Sequence, residues 1–328
     1  MWDSLKSRFS KNDSKQEDAR IASKNHKPFN IDLETRSGFE SEQILSTQSD
    51  FNRIKMYQDA VHQLSMPPVL WDEFQRAVKL DASNRKITSI IKSDPILSAV
   101  ILKTVNSPAF GLSKPIVDLS RALSHLGSTM VRSVVAKHCF SAILPQKSRS
   151  YNIEALWKHG MAVSALAEVV ASHVPGCDKD EASTIGLFHD IGRMGFNFFK
   201  SDQSEIMFDH DKGYLHFESI RFGCTHVEMG EIFAKHWKLP EKVQQGIKWH
   251  HHPGGAAVDA VPEAIRAEVF AVYVADLLAK HLEFHGGNAS KTLPHESWAE
   301  LLPKTTLYDI MHEKAVSKEL WRVNCIDF

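Results

Sequence analysis

Histidine is the residue whose distribution points to chemistry in this sequence. The 328-residue chain contains 18 histidines, and ten of them lie between positions 159 and 252. Three are consecutive, His250, His251 and His252, and another, His189, is followed directly by Asp190. Imidazole nitrogens combined with carboxylate oxygens form a ligand set that suits Mn, Fe, Ni, Co or Zn better than Ca. The distribution therefore indicates a candidate metal site in the second half of the chain.

Helical periodicity places two of these groups on otherwise apolar faces. Positions 156, 159, 163, 166 and 170 form the apolar stripe of a predicted helix over residues 154–174, and position 159 is His159. Positions 265, 269, 272, 276 and 279 form the stripe of a predicted helix over about 262–285, and position 276 is Asp276. An ionised carboxylate on an apolar face has to be paired or to coordinate a metal ion, because burial of an isolated charge is costly.

Three further predicted helices direct ligand-type side chains to the same interior. The helix over 226–237 begins at His226, and the helix over 240–251 ends at His250 and His251. A helix over about 180–199 contains His189 and Asp190 within the sequence GLFHDIG. Adjacent helical residues project about 100° apart, so Asp190 would be placed to bridge two ions around one centre.

A second interpretation needs no metal. A histidine on a helix stripe is commonly a hydrogen-bonded core or boundary residue. The run of three histidines fits an exposed turn before Pro253, and Asp276 fits a partner for a neighbouring histidine. The joint pattern favours metal ligation, whereas each remaining histidine in the chain is better explained as a structural residue.

Composition and patterning indicate an all-α protein. Apolar residues make up 43% and charged residues 24% of the chain, and no alternating strand pattern of convincing length appears. The 39 basic and 40 acidic residues nearly cancel, which argues against a strongly basic nucleic-acid binder. No membrane span and no secretory signal are expected, since long apolar runs are absent. The four cysteines are scattered without a CxxC motif, which favours a reducing cytoplasm.

The pattern divides the chain into four predicted segments. Residues 1–52 are polar and lack a sustained period, so we expect a flexible arm. Residues 53–146 are predicted to form an N-terminal helical subdomain, residues 147–285 a subdomain that carries the metal-type positions, and residues 286–328 a C-terminal helical tail. Within the first subdomain, Asp94-Pro95 is typical of a helix start and Asn106-Ser107-Pro108 of a helix stop. The alternative is that these motifs belong to a surface that faces a partner or ligand.

Several motifs resemble those of a known family. The sequence GLFHDIGR at 186–193 is similar to the signature of the HD superfamily of metal-dependent phosphohydrolases. The wider pattern over about 60–285 resembles the HD-related output domain, or HDOD. The segments that carry this resemblance are MPPV at 66–69, IIKSDPILSAVILKTVNSPAFG at 90–111, ALSHLG at 122–127, LWKHG at 156–160, THVEMG at 225–230, WKLPEKVQQGIKWHHHP at 237–253 and VADLLA at 274–279.

The resemblance implies a helical bundle of the HD-superfamily type with an N-terminal helical subdomain, and a bacterial role in signal transduction or regulation. It implies one or two divalent metal ions, Fe, Mn, Ni or Zn, as cofactors. The residues that match the first metal set are His159, His189, Asp190 and Asp276. The residues that match the extra ligands of binuclear HD enzymes are His226, His250 and His251.

Two functions remain open at this stage. The first, which we favour, is a regulatory module that binds a signalling protein or a small phosphorylated ligand, with any metal in a structural or sensory role. The second is a metal-dependent phosphohydrolase acting on phosphomonoesters or phosphodiesters. Asp190 would then bridge the ions or orient the attacking water, and Arg193 would steady the phosphate.

Cyclic-di-GMP is not an expected substrate. In the HD-GYP branch, which hydrolyses cyclic dinucleotides, the paired histidines are followed by Glu and a substrate loop. Here His250 and His251 are followed by HPGGAAVDA, so that loop is absent. That branch also has Lys where this chain has Arg193.

Overall fold

The computed structural model describes residues 50–141, 143–144, 150–198, 213–282, 284, 294–301, 310 and 312–324. All of them belong to one compact unit, Leu33–Phe328. The regular structure of these residues is helical throughout, without a strand, which confirms the all-α prediction. The predicted arm lies almost wholly outside the described residues, and so does about half of the predicted C-terminal tail.

Fourteen α-helices, named here in chain order, make up most of the described structure. They are α1 (Phe51–Val61), α2 (Val69–Lys79), α3 (Asn84–Lys92), α4 (Pro95–Val105), α5 (Leu119–Leu126), α6 (Ser128–Ser141), α7 (Ile153–Ala171), α8 (Lys179–Phe188), α9 (Ile191–Gly195), α10 (Gly213–Phe222), α11 (His226–His236), α12 (Glu241–Trp249), α13 (Arg266–His281) and α14 (Lys314–Asn324). None of the described helices has the length and apolar character needed to cross a lipid bilayer.

Side-chain caps fix where the helices that carry candidate ligands begin. Asn152 caps α7, and Asp178 caps α8 by accepting two backbone N–H groups of its first turn. Thr225 and Glu228 form a reciprocal capping box at the start of α11, so that His226 is the first residue of that helix. The starts of α7, α8 and α11 are therefore marked by local side-chain bonds, whereas α12 and α13 begin without a side-chain cap.

The helix α7 is the central element of the core and packs against α6, α8, α13 and α14. All five positions of its predicted stripe, 156, 159, 163, 166 and 170, are buried. The approach of α7 to α8 is close enough that a Cβ built on Gly160 would lie 2.7 Å from the Leu187 carbonyl oxygen. Glycine at this position therefore allows His159 and His189 to lie close together, with ring centroids 5.1 Å apart.

A cluster of four buried aromatic rings connects the N-terminal helices to the helices of the second half. Phe140 of α6 lies 5.1 Å from Trp71, 5.2 Å from Phe188 and 5.0 Å from Trp237, measured between ring centroids. Edge-to-face pairs of this kind contribute about 0.5–1.5 kcal/mol each beyond the burial of their area. Because Phe188 is the last residue of α8, this cluster anchors the chain immediately before His189.

The motifs of the N-terminal helices have structural partners. Asp94 caps α4 by accepting the Leu97 N–H at 2.9 Å, and its second oxygen lies 2.8 Å from His138 Nε2. The Asn106 side chain donates to the Ile116 carbonyl and accepts the Ile116 N–H, each at 2.8 Å. Asn106 therefore closes the loop that follows α4, and Asp94 starts that helix.

The prediction of one continuous helix over about 180–199 was wrong. The helix α8 ends at Phe188, Asp190 has φ −100° and ψ 14°, and a new short helix, α9, begins at Ile191. The turn brings α9 against α11 so closely that a Cβ on Gly192 would lie 1.9 Å from the His226 carbonyl oxygen. His189 and Asp190 therefore occupy a junction between helices, and their orientation does not follow from the 100° helical step.

Two other boundaries differ from the sequence prediction. The helix over 262–285 is shorter, because a 3₁₀ turn at Glu263–Ile265 precedes α13 and the helix ends at His281. The helix α10 was not predicted at all. Its buried face carries a carboxylate, Glu218, at a position where a packed helix usually has an apolar residue.

Candidate metal centre

The fold brings all seven predicted ligand residues together in two adjoining groups. The first, named here the Asp276 group, consists of His159, His189 and Asp276. The second, named the Asp190 group, consists of Asp190, His226, His250 and His251. Within each group one nitrogen or oxygen atom per residue lies within 4.8 Å of the others. Six of the seven residues are buried, and His251 is partly buried.

In the Asp276 group, the acceptor atoms face one another without a donor between them. The Nδ1 atoms of His159 and His189 lie 2.6 Å from the Phe284 carbonyl oxygen and 2.8 Å from the Gly186 carbonyl oxygen. A carbonyl oxygen can only accept, so both rings carry their proton on Nδ1 and turn the Nε2 lone pair inward. Asp276 Oδ1 lies 3.2 Å from the His159 Nε2 and 4.0 Å from the His189 Nε2. These three atoms are buried and have no hydrogen-bond partner among the described residues.

In the Asp190 group, the Nε2 atoms of three imidazoles face one another. The Nε2 atom of His226 lies 3.2 Å from that of His250 and 3.0 Å from that of His251. On the outer side of the rings, His250 Nδ1 lies 2.7 Å from the Ile247 carbonyl oxygen, and His226 Nδ1 lies 2.6 Å from the Glu218 carboxylate. These outer acceptors hold the rings with their Nε2 atoms inward, where they would be placed to ligate one cation.

Asp190 lies between the two groups and presents one oxygen to each. Its Oδ1 is 3.2 Å from His226 Nε2 and 3.9 Å from His250 Nε2. Its Oδ2 is 3.6 Å from the Nε2 atoms of both His159 and His189. A carboxylate arranged in this way has the geometry of a bridging ligand.

Each of the two carboxylates is held ionised by a neighbouring cation. Arg193 Nη1 donates to Asp190 Oδ2 at 2.5 Å, and Lys280 Nζ donates to Asp276 Oδ2 at 2.6 Å. Burial by itself raises the pKa of both aspartates. Arg193 beside Asp190 and Lys280 beside Asp276, together with nearby imidazoles, outweigh that effect and hold both pKa values well below the usual range.

Burial keeps three of the inward histidines, His189, His250 and His251, neutral. It lowers the pKa of His189 to about 4 and the pKa values of His250 and His251 well below their ordinary value. At neutral pH these imidazoles therefore hold a lone pair that is available to a metal ion. His252 belongs to neither group, and its ring packs edge-on against that of Trp249, with the ring centroids 4.3 Å apart.

Sequence reasoning missed two residues that contact the candidate ligands. Lys280 stands four residues after Asp276 on α13, and this helical spacing is a signal that could have identified it. Glu218 is fully buried and bonds to His226, Arg193 and the Tyr151 hydroxyl. No local pattern marks Glu218, because its partners come from other segments of the chain.

The structure gives Arg193 protein partners in addition to any role toward a ligand. Its Nη1 bonds to Asp190, its Nε donates to Glu218 Oε1 at 3.1 Å, and the guanidinium lies 5.3 Å from the centre of the Tyr214 ring. Arg193 therefore holds Asp190 in place and connects it to Glu218.

The donor set fits a divalent metal centre. Five imidazoles and two carboxylates converge, and several of their buried lone pairs have no protein donor. In four of the imidazoles the outer ring nitrogen, Nδ1, is bonded to a carbonyl or carboxylate oxygen. That outer bonding is the arrangement that orients histidines in metal sites. The mixed nitrogen and oxygen ligands suit Mn, Fe, Ni or Zn.

Solved structures share this fold at low sequence identity. An HDOD domain protein of unknown function from Geobacter sulfurreducens matches with a TM-score of 0.56 and 21% identity, covering 84% of this chain and 90% of that chain. A candidate phosphohydrolase from Shewanella amazonensis SB2B matches with a TM-score of 0.56 and 17% identity, covering 84% and 99%. A candidate signal transduction protein from Marinobacter aquaeolei VT8 matches with a TM-score of 0.54 and 15% identity, covering 88% and 68%.

Sequence comparison gives a relative and a family. A protein of Treponema pallidum (strain Nichols), named only as uncharacterized, is 24% identical over 234 residues, which are 69% of this chain. The match spans 44% of that relative, so this chain corresponds to less than half of its length. The model of the HDOD domain matches residues 64–253, more than half of the chain and most of the two ligand groups. The chain belongs to the HDOD family.

Proposed function

We propose that this protein is a bacterial signal-transduction module in which a divalent metal centre shapes a surface that binds a signalling protein or a small phosphorylated ligand. The observation that carries the metal centre is the set of buried atoms without a hydrogen-bond partner in the Asp276 group, beside the four converging ligand-type residues of the Asp190 group. The regulatory role is supported by membership of the HDOD family and by the signal transduction protein of the same fold.

Separate sets of residues would hold each of two metal ions. His159, His189 and Asp276 would hold one ion, while His226, His250 and His251 would hold a second ion. Asp190 would contact both, because each of its oxygens faces one group. The Nδ1 bonds to backbone carbonyls keep the rings of His159, His189 and His250 from turning away.

The charges around the site favour a signalling protein as the partner over a phosphorylated ligand or substrate. The two basic residues that touch the ligand carboxylates, Arg193 and Lys280, already donate to Asp190 and Asp276. A bound phosphate would have to share these donors. We propose a module of the bacterial cytoplasm, in keeping with the unpaired cysteines of the described residues, Cys139, Cys177 and Cys224.

A phosphohydrolase is the second candidate, and the position of Asp190 between the groups favours it. Bound divalent ions would polarise a substrate phosphate and lower the pKa of a bound water. Asp190 would orient that water or bridge the ions, and Arg193 would steady the phosphate through the donors that remain to it. His159 and Asp276, which are almost completely buried, would exclude bulk water from one side of the site.

A substrate screen separates the two candidates. Chelator-treated protein is reloaded with Mn or Fe and incubated with chromogenic phosphomonoesters and phosphodiesters. The module predicts metal binding without turnover above background. Multiple turnovers that disappear in Asp190→Ala would establish the enzyme and overturn the module, and protein that binds no metal would overturn both.

A further inference from the structure

Glu218 is a buried carboxylate that no part of the proposed metal set includes. It lies on α10, is 0% exposed, and accepts four hydrogen bonds. Its Oε2 accepts from the His226 backbone N–H at 2.8 Å and faces His226 Nδ1 at 2.6 Å. Its Oε1 accepts from Arg193 Nε at 3.1 Å and from the Tyr151 hydroxyl at 2.9 Å. Full burial with four charge-assisted or hydroxyl donors makes Glu218 one of the most constrained polar groups in the chain.

The carboxylate decides which nitrogen of His226 carries the proton. Asp190 Oδ1 lies 3.2 Å from His226 Nε2, so a proton on Nε2 would find an acceptor there. Glu218 offers Nδ1 a closer acceptor, at 2.6 Å. With the proton on Nδ1, the Nε2 lone pair is turned toward His250 and His251. With the proton on Nε2, His226 would be blocked as a ligand.

The Glu218 carboxylate also positions Asp190 indirectly, through Arg193. Arg193 donates through Nε to Glu218 and through Nη1 to Asp190 Oδ2, so Glu218 fixes the plane of the guanidinium that holds Asp190. Two members of the Asp190 group therefore depend on one side chain.

The Asp276 group is held by other atoms. The rings of His159 and His189 bond to the carbonyls of Phe284 and Gly186, and Asp276 bonds to Lys280. None of these bonds involves Glu218. Loss of Glu218 should therefore act directly on the Asp190 group and reach the Asp276 group only through Asp190 Oδ2, which faces His159 and His189.

We infer that Glu218 is a positioning residue that selects the ligating tautomer of His226 and, through Arg193, the orientation of Asp190, and so affects the metal affinity of the Asp190 group more strongly than that of the Asp276 group. This inference rests on the proposed metal centre. Outer carboxylates bonded to ligating histidines commonly account for about 10–100-fold in metal affinity, which is the effect expected here.

The test compares Glu218→Ala and Glu218→Gln with Glu231→Gln as a control. Glu231 lies on α11, where it pairs with Lys235 on the outer face of the helix, 3.2 Å away. Chelator-treated full-length proteins are titrated with Mn²⁺ and Zn²⁺ by calorimetry. We expect Glu218→Ala to weaken one class of site about 10–100-fold and to weaken the other class, which it reaches only through Asp190, by a smaller factor. Glu218→Gln keeps an acceptor for His226 but opposes an amide N–H to Arg193, so its loss should fall on the same class and be smaller.

Equal weakening of both classes, or unchanged affinity in a folded Glu218→Ala variant, would overturn the inference. If that variant does not fold, Glu218→Gln decides. A loss that falls mainly on one class supports the inference, and unchanged affinity at both classes contradicts it.

A measurement without metal separates this inference from the proposed function. The ¹⁵N shifts of the His226 ring in metal-free protein report its tautomer. We expect the Nδ1-protonated form in the unmodified chain and a mixture of forms in Glu218→Ala. A chain that binds no metal would refute the metal centre, whereas an unchanged tautomer in Glu218→Ala would refute the role of Glu218.

Discussion

Removal of the Lys280 ammonium tests how the buried negative charge of Asp276 is compensated. Lys280 Nζ lies 2.6 Å from Asp276 Oδ2, and the two side chains are 11% and 6% exposed. In Lys280→Met the Asp276 carboxylate loses its cation but keeps its apolar surroundings. Breaking a buried pair by removing one partner costs about 3–5 kcal/mol, because an uncompensated charge remains. Since both residues keep slight exposure, we expect a loss of about 3 kcal/mol in the free energy of unfolding of the metal-free protein.

A divalent ion should restore about half of that loss. The ion would approach Asp276 from the side of Oδ1, which has no hydrogen-bond partner among the described residues. It would therefore supply the positive charge that the variant lacks. Metal stabilises both chains, so the difference between them narrows only as far as the variant binds the ion more tightly. Loss of the Lys280 ammonium, which repels the ion, should tighten binding about tenfold, which corresponds to about 1.4 kcal/mol, so the deficit of about 3 kcal/mol should shrink to about half.

The assay is urea unfolding followed by far-UV circular dichroism, after chelation and after addition of Mn²⁺ or Zn²⁺. Lys235→Met is the matched control, because Lys235 pairs with Glu231 at the same helical spacing but is 65% exposed. Surface pairs of this type contribute less than about 0.5 kcal/mol, and metal should not change that value. A Lys280→Met deficit that is absent without metal, or is equally large with it, would refute the reasoning.

Further predictions concern acidity, packing, capping and substrate. Burial lowers the pKa of His189 to about 4, from an ordinary value of 6.5, so between these pH values the unfolded chain binds a proton that the folded chain does not. The free energy of unfolding of metal-free protein should therefore fall as the pH drops from 6.5 to 4, by roughly 3 kcal/mol from this group, and denaturation of His189→Gln should show a shallower slope. Gly192→Ala places a Cβ 1.9 Å from the His226 carbonyl oxygen, so it should destabilise by at least about 3 kcal/mol and weaken metal binding at the Asp190 group; calorimetry that finds neither effect contradicts the packing. Asp94→Ala removes the α4 cap and the His138 pair, and thermal unfolding should register a loss of about 1–2 kcal/mol, whereas no loss would mean that neither bond matters. Incubation of the Mn and Fe forms with cyclic-di-GMP should yield no linear dinucleotide on chromatography; multiple turnovers would show that the missing loop is not required.

The sequence was sufficient to predict the ligand groups wherever a helical stripe defined the direction of a side chain. His159 and Asp276 are each in phase with apolar neighbours on long helices, and the structure buries both. His226 and His250 lie at the start of α11 and just after α12, where capping and proline residues mark the helix ends. Periodicity and end signals are local properties, which is why they could be recognised without a structure.

Features that depend on contacts between distant segments could not be predicted. The break at Asp190 is stabilised by the contact of Gly192 with the backbone of α11, and single-sequence periodicity carries no record of that contact. Glu218 meets Arg193 and His226 only after α9, α10 and α11 have packed together. The ring orientations of His159 and His226 are likewise set by distant atoms, the Phe284 carbonyl and the Glu218 carboxylate, whereas His189 and His250 bond to carbonyls three residues earlier in the chain.

Metal content is the measurement that tests the central claim most directly. The full-length chain is purified without added metal and analysed by inductively coupled plasma mass spectrometry, then chelated and dialysed against Mn, Fe, Ni or Zn. The arrangement of His159, His189, Asp190, Asp276 and the three histidines of the second group predicts one or two divalent ions per chain. Asp190→Ala should lose most of that metal while its helicity is retained. An unmodified chain that contains no stoichiometric metal, and takes up none of the four ions, would contradict the account.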